Sequence, residues 1–202
     1  EDTLMSEVRA ISRLDGTAIP VRGNNIDTDR IIPARFLKSI TFDGLGGHVF
    51  EDDRQSMPNH PFSNPSYAGA SILLVNENFG SGSSREHAPQ ALKRWGIAAC
   101  IGESFSEIFL GNATTIGLPC ATASAAGIKM LMDAVEQTPA TRLALRVDAL
   151  LVETAQLSHP VLIPAAIQES FLTGQWDAIG LLLDQFDQVR QVAAALPYVK
   201  GY

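Results

Sequence analysis

Three short apolar runs limit the architectures open to this chain. They are "ASILLVNENF", "IAACIG" and "LPCATAS". Each is only a few residues long and apolar without alternation. Such a run fits a strand covered on both faces, as in a parallel sheet, better than a half-solvated strand. The segments between them carry helical signals. The pattern after the first run continues through about Gly96. "SFSEIFLGNATTIG" offers Ser104 or Ser106 as an N-cap, and "AAGIKMLMDAVEQ" places Ile128, Leu131, Met132 and Val135 on one helical face. Strand alternating with helix predicts an α/β domain.

The flanks extend the pattern. Residues 8–23 read as short strands around a turn at Asp15-Gly16, and "RLALRVDALLVE" reads as one alternating strand. "RIIPARFL" suggests a strand end or a short helix entry. Residues 41–67, rich in Gly, Pro, Asn and Asp, read as a long and mobile loop with one turn of helix. A C-terminal segment, 176–197, sets Leu182, Phe186, Val189, Ala193 and Leu196 at helical spacing, as a stripe packed on the core or on a partner. All 202 residues are expected to form a single domain. Met5 reads as a natural start, which makes Glu1 to Leu4 a cloning remnant; a trimmed transit peptide would look the same.

Composition narrows the function. A net charge of −7 and a pI near 5.0 argue against a nucleic-acid partner, whose phosphates need a basic face. No apolar run is long enough to span a bilayer. The two cysteines, Cys100 and Cys120, sit in the apolar runs and read as small buried hydrophobes, which suits a reducing compartment such as the cytoplasm or a plastid stroma. Two thiols are too few to ligate an iron–sulfur cluster within this chain.

The chemistry concentrates in "NENFGSGSSREHAPQALKRW", Asn76 to Trp95. Gly80 and Gly82 allow positive φ and close backbone approach. Ser83 or Ser84 can cap a helix whose first turn would hold Arg85, Glu86 and His87. A loop after a strand and before a helix places free N–H groups where ligands bind in α/β sheets. Arg85 at the positive end of a helix is electrostatically misplaced, which suggests a role in binding a carboxylate or phosphate through its planar fork. The loop matches neither the Lys-containing phosphate loop nor the G-x-G-x-x-G fingerprint. A structural helix cap remains open for the serines, and a packed His for His87. Asp29 in "NNIDTDRIIPARFL" can likewise be a turn residue bonded to its own backbone.

At these residues the chain resembles the aconitase superfamily. "NFGSGSSREHAPQAL" is similar to the superfamily's G-x-G-S-S-R-E-H-A signature on the small, swivelling domain. "NNIDTDRIIPARFL", "FSNPSYAGASILLVNENFG", "ESFSEIFLGNATTIGLP" and "DAIGLLL" are similar, in the same order, to the small subunits of 3-isopropylmalate dehydratases, so the likeness runs from about Ile19 to Leu183. The resemblance implies a swivelling β/β/α domain with a C-terminal helical segment. It implies a hydro-lyase of leucine biosynthesis that interconverts 2- and 3-isopropylmalate by dehydration and rehydration. This chain would bind no metal, and would be active only with a large subunit carrying a [4Fe-4S] cluster. Ser83 would be the catalytic base, Ser84 and Arg85 would bind substrate, and Thr28 and Asp29 would support them. Phe36, Leu37 and Lys38 would face the substrate's variable group. Ile40 could add apolar lining, and Arg35 or Lys38 would suit an extra carboxylate. Homoaconitase-type or other 2-substituted malate hydratase subunits, and a non-catalytic dicarboxylate-binding module, are the competing readings.

Overall fold

The computed structural model describes residues 10–38, 41–83, 85–178, 180 and 186–196. The three apolar runs form β2 (Ile72–Val75), β3 (Ala99–Gly102) and β4 (Cys120–Thr122). β2 and β3 are buried along their whole length. α3 (His87–Trp95) lies between β2 and β3, α4 (Glu107–Thr115) lies between β3 and β4, and α5 (Ala125–Gln137) follows β4. In α5 the expected stripe Ile128, Leu131, Met132 and Val135 is buried, and the helix packs against β1 (Arg13–Val21) and β2.

β1 is the pivot of a seven-stranded sheet ordered β4-β3-β2-β1-β5-β6-β7. On one side β1, β2, β3 and β4 run parallel. On the other, β1 pairs antiparallel with β5 (Arg142–Arg146), followed by β6 (Leu151–Glu153) and β7 (Ser158–Pro160). The sheet curls until its ends meet. Thr122 at the end of β4 and Leu162 beyond β7 exchange backbone hydrogen bonds of 2.9 and 2.7 Å. Closure removes much of the exposed edge that an open sheet would present. Helix α6 (Ala165–Thr173) accepts a bond from Ile11 N at Phe171 O, 2.7 Å.

Three expectations need correction. Asp15-Gly16 is no turn: Gly16 pairs with Leu143 in mid-strand, and a Cβ there would lie 1.8 Å from Ser71 Oγ. Glycine marks a close approach, not a reversal. "RLALRVDALLVE" is a hairpin, β5 and β6, with Leu150 at φ 54 in the turn. Residues 41–67 carry more structure than one turn: 3-10 turns at Leu45–His48, Pro61–Ser63 and Pro65–Tyr67, and helix α2 (Glu51–Ser56). Apolar residues spaced through this stretch organise it, for Leu45, Val49, Phe50, Phe62 and Tyr67 are buried. Phe62 packs between Phe50 and Trp95, with ring centroids at 4.9 and 4.6 Å.

The "RIIPARFL" stretch is helical at both ends, as α1 (Thr28–Ile31) and a 3-10 turn at Ala34–Lys38. The C-terminal segment includes α7 (Phe186–Ala195), where Phe186 and Val192 are exposed. Leu182 and the side chain of Val189 lie outside the described residues, as does the expected start at Met5. Cys100 and Cys120 are buried neighbours in β3 and β4 and form no disulfide. No helix among the described residues is long and apolar enough to cross a membrane.

Candidate active site

β1, β2 and β3 end in register, Val21 beside Val75 and Val75 beside Gly102. The three segments that leave these ends interlock through the backbone. Asn25 N donates to Glu77 O at 2.9 Å, Gly80 N to Ile26 O at 2.8 Å and Thr28 N to Ser81 O at 2.9 Å. Phe79 N donates to Ser104 O at 3.1 Å, and Ser106 N to Phe79 O at 2.9 Å. Asn25 and Asn78 both sit at positive φ, 56 and 55, and Asn78 Nδ2 donates to Asn25 Oδ1 at 2.8 Å. Asparagine tolerates that conformation better than most residues.

The glycines divide the labour. Gly80 has φ +76, and a Cβ there would meet Phe109 of α4 at 2.4–2.6 Å. Only glycine fits. Gly82 has φ +92 but more room, with Asp27 Cβ at 3.4 Å. Ser106 is the N-cap of α4, accepting from Phe109 N at 3.3 Å, and its hydroxyl donates to Gly80 O at 2.5 Å. Ser104, the other candidate cap, instead accepts from Asn78 N at 2.8 Å.

Helix α3 begins later than expected. It starts at His87, and its N-cap residue Glu86 makes no side-chain cap bond. Pro89 explains the delay. A helix begun at Arg85 would set the Pro89 ring against the Arg85 carbonyl four residues back, whereas in the first turn its missing N–H is harmless. Arg85 therefore lies before the helix, its guanidinium paired with Asp29. Arg85 Nη2 also donates to Ser83 Oγ at 3.4 Å. Thr28, buried, donates from Oγ1 to Ser83 O at 3.1 Å. The structure thus brings Ser83, Arg85, Thr28 and Asp29 together. Ser84 lies outside the described residues. Ser83 is exposed, while the Arg85 side chain is 18 % exposed.

Sequence reasoning overlooked several supports. Asp27 caps α1, accepting from Arg30 N at 2.8 Å, and Arg30 bonds Asp53 of α2 from Nε at 3.0 Å and Nη2 at 2.8 Å. The first Asp of "DTD", three residues before Arg30, is a readable N-cap signal. The Arg30–Asp53 pair joins residues far apart in sequence and left no local signal. His87 packs edge-on against Phe42, with ring centroids at 5.1 Å, which is the packed reading. Phe36, in the turn after α1, stacks on His48 with centroids at 4.0 Å and planes at 23°. Leu37 is half-buried and Lys38 exposed. Arg35 is tied to Glu51 at 2.6 Å and Asp52 at 2.7 Å. Ile40 lies outside the described residues.

Chemically, the rim sets a guanidinium and a carboxylate beside a serine hydroxyl. A guanidinium that hydrogen-bonds a serine oxygen favours that oxygen's charged form and can also fork onto a carboxylate. The donors of this chain do not fit an iron–sulfur cluster: both thiols are buried inside the sheet. Among the described residues, no three His, Cys, Asp or Glu are grouped to hold a metal ion.

The comparisons with known proteins identify the family. The model of the aconitase C-terminal domain family matches residues 9–123, which span β1 to β4 and every loop of the rim, and the chain belongs to that family. A 3-isopropylmalate dehydratase small subunit from Synechocystis is 49% identical over 196 residues, 96% of this chain and 96% of its own length. One from Thermus thermophilus is 48% identical over 187 residues, 91% of this chain and 93% of its own. Within the family, the chain falls among these small subunits. The crystal structure of a 3-isopropylmalate dehydratase from Methanocaldococcus jannaschii shares the fold, with a TM-score of 0.64, 24% identity, and coverage of 91% of this chain and 98% of that one.

Proposed function

We propose that this chain is the small subunit of a cytoplasmic hydro-lyase that interconverts 2- and 3-isopropylmalate in leucine biosynthesis, and that it acts only with a cluster-bearing large subunit. The observation that carries the reading is the Ser83–Arg85–Asp29–Thr28 constellation at the ends of β1 and β2 in a chain of this family. The [4Fe-4S] cluster belongs to the large subunit and supplies a Lewis acid to the substrate hydroxyl.

The chain's own part is proton transfer and orientation. Ser83 Oγ takes the proton from the carbon next to a substrate carboxylate. A serine hydroxyl is a poor base, so its deprotonated form must be stabilised, and the Arg85 donor provides that. Arg85 exchanges its bond to Asp29 for the incoming carboxylate, an anion for an anion. Asp29 holds the guanidinium aligned until then, Thr28 fixes the Ser83 carbonyl, and Ser84 hydrogen-bonds the substrate. Phe36, Leu37 and Lys38 line the place of the variable group. Malates with a further carboxylate, as in homoaconitase, would need a cation there. Arg35 is already committed to Glu51 and Asp52, which leaves Lys38 as the cation of this segment; the apolar reading rests on Phe36 and Leu37 and on the likeness to the isopropylmalate small subunits.

The test is reconstitution. The chain is mixed with a matched, cluster-loaded large subunit, and interconversion of the isopropylmalates is followed beside homocitrate and 2-methylmalate. The expected result is turnover that needs both chains and is fastest with isopropylmalate. Absence of a complex, or a faster reaction with the tricarboxylate, would contradict it.

A further inference from the structure

Phe36 packs at the edge of the core and is also held by two polar partners. Its ring lies on the His48 imidazole, 4.0 Å between centroids, and the Arg35 guanidinium carbon stands 4.8 Å from its centroid. Glu51 bonds both partners of the ring, and Asp52 also holds Arg35, at 2.7 and 3.1 Å. Glu51 accepts from Arg35 Nη2 through Oε1 at 2.6 Å and pairs with His48 Nδ1 through Oε2. The Glu51 carboxyl is accordingly held below the usual carboxylate range, first by His48 and then by Arg35.

The His48 turn is itself seated on the fold. A Cβ at Gly46 would lie 2.6 Å from the Arg94 carbonyl carbon and the Trp95 nitrogen, so the turn rests directly on the end of α3. Arg54 of α2 donates to Gly47 O at 3.0 Å and Val49 O at 3.3 Å. The base beneath the ring is fixed by backbone and packing, while the ring is held over it by His48, paired with Glu51, and by Arg35, paired with Glu51 and Asp52.

We propose that Glu51, acting through His48 and Arg35, is a positioning residue that sets the place of Phe36 and thereby the enzyme's choice among 2-substituted malates. The proposal rests on the reading of Phe36 as part of the wall facing the variable group. A wall displaced by about the size of a methylene alters discrimination of apolar substituents by roughly tenfold or more. Losing the Glu51 carboxylate frees the His48 ring and leaves Arg35 held by Asp52 alone, whereas a glutamine at position 51 can still hydrogen-bond both.

The experiment measures kcat/KM for 2-isopropylmalate and for 2-methylmalate in the reconstituted complex. The ratio of the two is the readout, because a merely structural defect lowers both together. Glu51→Ala and His48→Ala are expected to lower the ratio by about tenfold. Glu51→Gln, which can still hydrogen-bond His48 and Arg35, is expected to keep it within about twofold. An unchanged ratio in Glu51→Ala and His48→Ala would overturn the proposal, and so would equal loss on both substrates. Should His48→Ala fail to assemble, Glu51→Ala decides alone, its side chain being partly exposed in the first turn of α2. A wild-type complex inactive on both substrates would overturn the functional reading and this inference with it. An active wild type with an unmoved ratio would overturn this inference alone.

Discussion

The Ser83 rim and the 34–38 segment flank α1, yet opposite kinds of force hold them. The rim is a backbone structure: peptide groups of three loops bond one another, and Gly80 lies against Phe109 with no room for a methyl group. The 34–38 segment is held by side chains, through the Arg35 ion pairs and the Phe36–His48 stack, all partly exposed to solvent. Backbone bonds fix geometry whatever the surface residues are. Exposed ion pairs are weak, salt-sensitive and replaceable. A proton-transfer site needs the first kind of support, whereas a wall that fits one substituent can rely on the second.

Apart from Ser83 itself, the largest effect expected from breaking this contrast is at Arg85. Arg85→Lys keeps the charge but loses the fork, and should lower kcat/KM of the complex by about 10²–10³-fold, as removal of a preorganised donor does. Assembly, read by sedimentation, should be intact. Next comes the backbone. Gly80→Ala should destabilise the chain by about 2–4 kcal/mol, combining overpacking against Phe109 with left-handed strain. Denaturant unfolding measures it, and a cycle with Phe109→Ala should show favourable coupling of about 1 kcal/mol or more.

Smaller still is the effect of pH through His60. Burial pushes its pKa below the ordinary 6.5, and its Nδ1 accepts from Phe62 N at 3.2 Å, so the folded state wants the neutral ring. That stability is present above the unfolded value near 6.5 and is lost as pH falls through it, at no more than about 1.4 kcal/mol per pH unit. Melting temperatures between pH 8 and pH 5 should fall less steeply in His60→Asn, which can still accept the bond without titrating. The smallest effect is salt. Raising it to about 1 M shortens the screening length to about 3 Å and should speed amide exchange at 34–38 while leaving 79–83 unchanged. Equal acceleration in both segments would erase the distinction drawn between them.

How much of this was legible in the sequence follows the same division. β2, β3 and β4 were readable because double burial leaves no polar alternation, and α5 because its stripe is long. Ser83, Arg85 and the D-T-D segment were readable as a motif, and Arg85 also because its charge was out of place. Gly16 misled, since a glycine that admits Ser71 looks in one dimension like a glycine that turns. The 41–67 stretch misled because its order comes from Phe50, Phe62 and Trp95 meeting across long separations, which no local window records. The start of α3 was readable in principle, from the distance between Arg85 and Pro89. The Glu51 pairings were not, since a charged helix turn has the same composition whether solvated or bonded.

The most direct test of the central claim is Ser83→Ala in the reconstituted complex, followed by isomerisation and by deuterium uptake from solvent at the substrate carbon next to the carboxylate. The account predicts an assembled, folded complex in which turnover and uptake both fall by about a thousandfold or more, as on loss of a proton-transferring group in a preorganised site. Uptake at the wild-type rate would contradict it, and would move the proton acceptor off Ser83.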